Sequence, residues 1–252
     1  VKHKPVPAVA KPAYCAAGGH WLAIGNGAPR LERAPDILAN AVRQDVVLLG
    51  EQHDVEDHHR WQLQTLAAMH AQRPNMVIGF EMFPRRVQPV LDKWVAGSLT
   101  VQDFLQQAEW DKVWSFAPHI YMPLFEFARI NQIPMRALNI DKSLTQKVSE
   151  SGWDSVPEAQ REGVGRAAPA LPAYEKFLGE IFQLHLQHSS SHTAKQASGQ
   201  DNAFRFFLES QLAWDRAMAE VLAASLGDRS RPEPPLVVGI MGSGHIRNGH
   251  GV

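Results

Sequence analysis

Four short apolar runs constrain the chain more than any other feature: DVVLLG (45–50), MVIGFEMF (76–83), MRALNI (135–140) and LVVGIMG (236–242). Each is nearly continuous hydrocarbon rather than alternating, the pattern of a strand covered by helices on both faces of a parallel sheet. Helical patterns fill the intervals. HHRWQLQTLAAMHAQ sets Trp61, Leu63, Leu66, Ala67 and Met69 along a broad apolar stripe, while PVLDKWVAG and TVQDFLQQAEW read as shorter helices broken by Gly97. MPLFEFARINQ precedes the third run, so strand–helix–strand units repeat. The pattern predicts an α/β fold, a central and mostly parallel sheet flanked by helices.

Residues 157–226 are almost wholly helical in pattern, from AYEKFLGEIFQLHLQH to AFRFFLESQLAWDRAMAEVLAASLG, and are expected as a helical insertion before the last strand. The polar stretch SSSHTAKQASGQDN between these helices reads as an exposed linker. Upstream, GGHWLAIGNGAPRL reads as a turn or short hairpin leading into a helix at 34–43. The first 18 residues open with VKHKPVPAVAKPAY, rich in proline and lysine without periodicity, and are expected as an extended tail. That leaves 19–252 as a single α/β domain, long enough for a substantial core.

A net charge of −1 argues against broad electrostatic capture of nucleic acid or anionic lipid. No run of apolar residues is long enough to span a bilayer. Cys15 is the only cysteine, which rules out an intramolecular disulfide and a thiolate zinc site. It follows KPAY, which lacks the small apolar residues expected before a lipid-modified cysteine, and reads as a plain cysteine. The chain starts at Val1 without a methionine, so a removed leader is expected. Twelve histidines are an unusual surplus that suits metal or haem ligation, pH sensing, or nothing more than decoration of helix surfaces.

In a parallel sheet, functional groups collect beyond the carboxyl ends of the strands. By that rule the first strand delivers Glu51 and His53, the second Glu81 and the third Asn139, while the fourth runs into GSGHIRNGH with His245. Glu81 lies in VIGFEMF, where a buried carboxylate demands a partner; His53, His245 and Arg85 are the candidates. Asp54, Glu56 and Asp57 read as N-cap and first-turn acids of the following helix. That helix carries His58 and His59, which as neighbours point about 100° apart, so only one approaches the rim. His53, His58, Glu81 and His245 are the candidate metal ligands at this edge. A second cluster, HLQHSSSH, contains His185, His188 and His192. His185 and His188 share a helix face and suit either co-ligation of a metal or the dipole of a helix end.

Tyr121 and Tyr174 complete the candidates, because a deprotonated tyrosine ligates ferric haem when a neighbouring group stabilises it. Tyr121 sits in PHIYMPLFEFA, where an amphipathic helix uses it structurally; Tyr174 heads the histidine-bearing helix and is the better ligand candidate. His185 lies about three turns further on, roughly 16 Å away at ~1.5 Å per residue. One haem therefore takes both only across a symmetric dimer.

The blocks LLGEQHDVEDHH, IGFEMFPRRVQPVLDKWVAG, WDKVWSFAPHIYMPLFEFA, IPMRALNI, SQLAWDRAMAEVLA and VVGIMGSGHIRNGHGV together resemble the ChaN-like family of bacterial haem-binding proteins. That family lies in a wider superfamily with the Tiki metalloproteases and erythromycin esterases. The resemblance runs from about Gly19 to the C-terminus, in order. It implies a cell-envelope lipoprotein, periplasmic or attached to the outer membrane, that assists haem uptake without catalysis. It also implies haem bound at a homodimer interface through a tyrosine, with the haem-uptake machinery as partner. Tyr174 is favoured for that ligand over Tyr121, with His185 or His188 as supporting groups. The alternative is a metal-dependent hydrolase, esterase-like or protease-like. Two Gly-x-x-His patterns support it, Gly50-Glu51-Gln52-His53 and Gly242-Ser243-Gly244-His245. There Glu51 or Glu81 serves as general base, while His53 and His245 bind a divalent metal ion or position a water.

Overall fold

The computed structural model of the protein describes residues 19–24, 28–188, 197–228, 230 and 232–252. A hairpin comes first, β1 (Trp21–Ala23) pairing antiparallel with β2 (Arg30–Glu32), followed by helix α1 (Ala34–Ala41). The four apolar runs then form β3 (Val46–Glu51), β4 (Met76–Pro84), β5 (Met135–Asn139) and β6 (Leu236–Gly242). They make one sheet in the order β3-β6-β4-β5, parallel throughout. This is the expected α/β architecture.

The strand order dictates where the helices go. From β3 the chain crosses through α2 (Glu56–His70) to β4. It then passes through α3 (Gln88–Val95), α4 (Val101–Gln107), α5 (Trp110–Val113) and α6 (Met122–Ile130) to β5. Both crossovers move the same way across the sheet, so right-handed connections put their helices on one face. The return from β5 to β6 moves the opposite way, through α7 (Lys142–Ser151), α8 (Pro172–His188) and α9 (Ala197–Ser225). Its helices accordingly cover the other face. Side chains follow suit, since successive residues of a strand point to opposite faces. Ile78, Phe80 and Met82 of β4 and Val238 and Ile240 of β6 pack with Leu66, Leu91 and Phe125 on the first face. Val77, Val237 and Met241 pack with Met218 and Leu222 of α9 on the second.

Three expectations need correction. The segment 157–226 is not continuously helical: beyond the turn Glu158–Gln160, residues 161–171 carry no helix before α8 begins at Pro172. Gly163, Gly165 and Pro169 explain the break, because glycine raises the entropic cost of a helix and proline removes a donor. The last residues of the polar linker belong to α9, which starts at Ala197, since a formed helix propagates at one hydrogen bond per added residue. Helix α2 begins after Val55 without a side-chain cap; Glu56 and Asp57 supply the first-turn charge, and Asp54 does not cap it. The tail at 1–18 and the part of the linker that carries His192 lie outside the described residues.

Candidate functional site at the carboxyl edge of the sheet

Strand parity sends the two strand-end glutamates in opposite directions. Glu51 shares its phase with Leu49 and emerges toward the α2 and α6 face, whereas Glu81 shares its phase with Val77 and emerges toward α9. Both are buried, at 2% and 1% exposure. Each has therefore built a partner set on its own side of the sheet.

Around Glu51, the hydroxyl of Tyr121 donates to Oε1 at 2.9 Å and Nδ1 of His53 lies 2.8 Å from the same oxygen. Nε2 of His59 reaches the carbonyl of His53 at 3.1 Å. Its Nδ1 sits between Oε1 of Gln62, at 3.3 Å, and Oε2 of Glu51, at 3.1 Å. His59 is what holds the second glutamate oxygen. Burial alone would raise the Glu51 pKa from 4.5, but the hydrogen bonds from His53, His59 and Tyr121 and the charge on His59 overcome it and bring the value to about 2. Burial lowers and Glu51 raises the His59 pKa, and the net direction is up. Because Glu51 is anionic, Nδ1 of His53 is the nitrogen that donates to it, and Nε2 faces away from the carboxylate.

Around Glu81, the backbone N–H of Gly242 donates to Oε2 at 2.6 Å, and Nε2 of His245 stands 3.4 Å from Oε1. His245 turns Nδ1 to Asp215 of α9 at 2.6 Å, and the other oxygen of Asp215 accepts the hydroxyl of Tyr174 at 2.7 Å. Desolvation would depress the His245 pKa, yet the two carboxylates raise it from 6.5 to about 10. Burial first, then the charge and hydrogen bond of Asp215, push Tyr174 above its ordinary 10.0. Asn139 of β5 locks the strand end by donating to the carbonyl of Glu81 at 2.9 Å.

The two networks meet at Gly242. A Cβ there would lie 3.0 Å from Cε1 and 3.1 Å from Nε2 of His53, and 3.6 Å from Oε2 of Glu81. Conversely, a Cβ at Gly50 would fall 2.8 Å from Cδ1 of Ile246 and 3.3 Å from the backbone of Ser243. Each glycine of the two Gly-x-x-His patterns thus makes room for the segment that follows the other strand. Beside His53 opens a cavity of about 350 Å³ lined by Trp114, Phe116, Trp214, Arg86, Lys112 and Lys142 among others. A second cavity of about 300 Å³ reaches Tyr174, Asp215, Arg216 and His250 and is walled by Ala167, Ala168, Pro169 and Leu171.

The structure brings Glu51, His53, Glu81 and His245 together on one edge, joined to both tyrosines. It does not bring in His58, which accepts the backbone N–H of Gln52 at 2.9 Å; the neighbour that meets Glu51 is His59, because the 100° step turns His58 outward. Arg85 is spent elsewhere, on the carbonyls of Glu162 and Ala217 and on Glu220. His185 is exposed on α8, its ring edge-on to Phe207, and the side chain of His188 lies outside the described residues. Among the described residues no group of three or more His, Cys, Asp or Glu is arranged to hold a metal ion. The reason is visible in His245, whose two nitrogens both face carboxylates and which is held protonated. Asp215 escaped the sequence reading, although a signal exists: it takes an apolar-stripe position of α9, spaced three and seven residues from the buried Met218 and Leu222.

Comparison with known proteins identifies the family of the chain. A family model described as haem-binding uptake, Tiki superfamily, ChaN matches residues 37–252. No curated protein matches the sequence. Among solved structures, ChaN of Campylobacter jejuni with cofacially bound haem aligns with a TM-score of 0.59 at 19% identity, covering 85% of this chain and 76% of that one. RRSP, a MARTX toxin effector domain of Vibrio vulnificus, aligns at 0.46 and 19% identity, over 85% of this chain and 31% of that one. An erythromycin esterase variant in its open conformation aligns at 0.45 and 10% identity, over 82% and 63%. From Ile37 to its last residue, this chain belongs to the ChaN family of haem-binding uptake proteins in the Tiki superfamily.

Proposed function

We propose that the protein binds haem and serves haem uptake or trafficking in the bacterial cell envelope, as a homodimer and without catalysis. Family membership over residues 37–252 is the observation that carries this reading. Tyr174 is the ligand favoured here. Both tyrosines are buried and hydrogen-bonded to a carboxylate, but Tyr174 lines a cavity, whereas Tyr121 lines none of the cavities described above. A phenol ligating ferric iron must lose its proton; Asp215 Oδ2, at 2.7 Å, holds that proton on Tyr174, so the charge of the iron itself would have to displace it. Haem would supply a ferric iron, and Tyr174 would hold it through its phenol oxygen. At about 300 Å³ the cavity takes only part of a porphyrin, so the remainder would stand against a second surface. Leu171, Leu184 and Leu186, exposed at the start and along α8, offer apolar area for a second copy, with His185 and His188 on the same helix as supporting groups. No described helix is long and apolar enough to cross a membrane, so attachment to the outer membrane would need another device. Titrating hemin into the purified protein tests the proposal: a saturable Soret band supports it, and the spectrum of free hemin throughout refutes it.

One observation favours a second reading, hydrolysis. His53 is held through Nδ1 by an ionised, buried glutamate and lines a cavity, the carboxylate–histidine pairing that a general base uses. The divalent-metal form of that reading does not fit the residues present, so any such chemistry would run on Glu51 and His53 themselves. Turnover of ester substrates that disappears in Glu51→Gln would support it, and no turnover by the wild-type protein would end it.

A further inference from the structure

The cavity beside His53 is unlike the one at Tyr174 in both charge and wall chemistry. Its lining includes three cationic side chains, Arg86, Lys112 and Lys142, against one acidic side chain, Asp141. Asp141 is already neutralised, with Nε of Arg86 on its carboxylate at 2.7 Å. Arg86 and Lys112 also share Glu109. Lys142 differs: its ammonium reaches the carbonyl of Lys112 at 3.2 Å, and among the described residues no carboxylate pairs with it. Lys142 also opens α7, so its charge adds to the positive end of a ten-residue helix whose first N–H groups have no partner within the helix. Trp114, Phe116 and Trp214 add aromatic surface to the same lining.

We propose that this cavity binds a small organic anion, a carboxylate or phosphate ester carried on a flat apolar body, with the anionic group at Lys142 and the body between the aromatic side chains. A cation meets net positive charge there, and a neutral isostere forgoes the only uncommitted charge. Aromatic walls around a few fixed polar groups are the usual make-up of a small-molecule site, and about 350 Å³ stands at the small end of such sites, short of a porphyrin. The inference does not rest on haem binding, since it concerns a different cavity with different walls.

Isothermal titration of the full chain with 2-naphthoate and phenyl phosphate, and with 2-naphthamide as the neutral isostere, tests it. Both anions should bind with one-to-one stoichiometry, and the amide at least tenfold more weakly. Lys142→Gln should weaken the anions about fivefold, the worth of one partly screened charge pair. Lys142→Arg should restore most of the affinity, and raising the salt should weaken binding. Lys142 is exposed, so the variants should melt like the wild-type protein. One equivalent of hemin, added first, should leave the titration unchanged. Equal affinity for naphthamide, an unaltered constant in Lys142→Gln, absence of heat with either anion at millimolar concentration, or displacement by hemin would each overturn the proposal.

Discussion

Tyr174 and Asp215, 41 residues apart and on different helices, meet in a hydrogen bond of 2.7 Å that fastens α8 to α9. The same carboxylate turns its other oxygen to His245 at 2.6 Å, so the tyrosine proposed as haem ligand and the histidine at the sheet edge share one anion. What happens at the second cavity is thereby tied to the carboxyl edge of β4 and β6.

Replacing Asp215 by Asn should show this tie directly. In the wild-type protein the imidazole of His245 should stay protonated up to about pH 10, because Asp215 and Glu81 hold its charge against desolvation. Asp215→Asn removes one of those anions, so the midpoint should fall. Titration of the ring resonances by NMR reads the shift; an unmoved midpoint would mean that Asp215 does not hold the charge.

Stability should have a plateau set by two groups. Glu51 is depressed from 4.5 to about 2, so its contribution is complete above pH 4.5 and is lost as the pH falls toward 2. His245 is raised from 6.5 to about 10, so its contribution is complete below pH 6.5 and is lost as the pH rises through 10. Each is worth a few kcal/mol, at about 1.4 kcal/mol per pKa unit. Denaturant midpoints should therefore be highest between pH 4.5 and 6.5 and fall on both sides.

Gly242→Ala should damage the junction of the two networks while removing neither carboxylate, since the new Cβ meets Oε2 of Glu81 only in ordinary contact at 3.6 Å. The added methyl meets His53 at 3.0 Å, and the ring, fixed by Glu51 and packed against Trp114 at 4.8 Å and Phe116 at 5.1 Å, has little room to retreat. A loss of about 1–3 kcal/mol is expected, the usual range for an overpacked site. Chemical denaturation measures it, and a neutral result would show that His53 is not confined.

Tyr121→Phe should cost stability but leave haem binding intact. It strips a donor from the buried Glu51 oxygen, which costs roughly 1–3 kcal/mol. Its melting temperature should fall while its hemin titration matches that of the wild-type protein.

Much of this architecture was legible in the chain because hydrophobic continuity is a strong signal. All four core strands are where DVVLLG, MVIGFEMF, MRALNI and LVVGIMG indicate, and the rule that chemistry gathers at strand ends brings Glu51, Glu81 and Asn139 to one edge. Pairing was harder to read, since it depends on strand phase and helix rotation. The sequence reading places His58 among the candidate ligands, whereas the packed helix turns His59 inward instead. Asp215 hid in an apolar stripe, where its partners come from segments 30 and 41 residues away. The stretch 161–171 falls inside the segment expected as helical, but Gly163, Gly165 and Pro169 carry backbone costs that keep it out of a helix.

Hemin titration of the wild-type protein beside Tyr174→Phe and Tyr121→Phe tests the central claim most directly. The account predicts a saturable Soret band of tyrosinate-ligated ferric haem in the wild-type protein and in Tyr121→Phe, shifted and at least tenfold weaker in binding in Tyr174→Phe. A band unchanged in Tyr174→Phe, with that variant folded by circular dichroism, would contradict it.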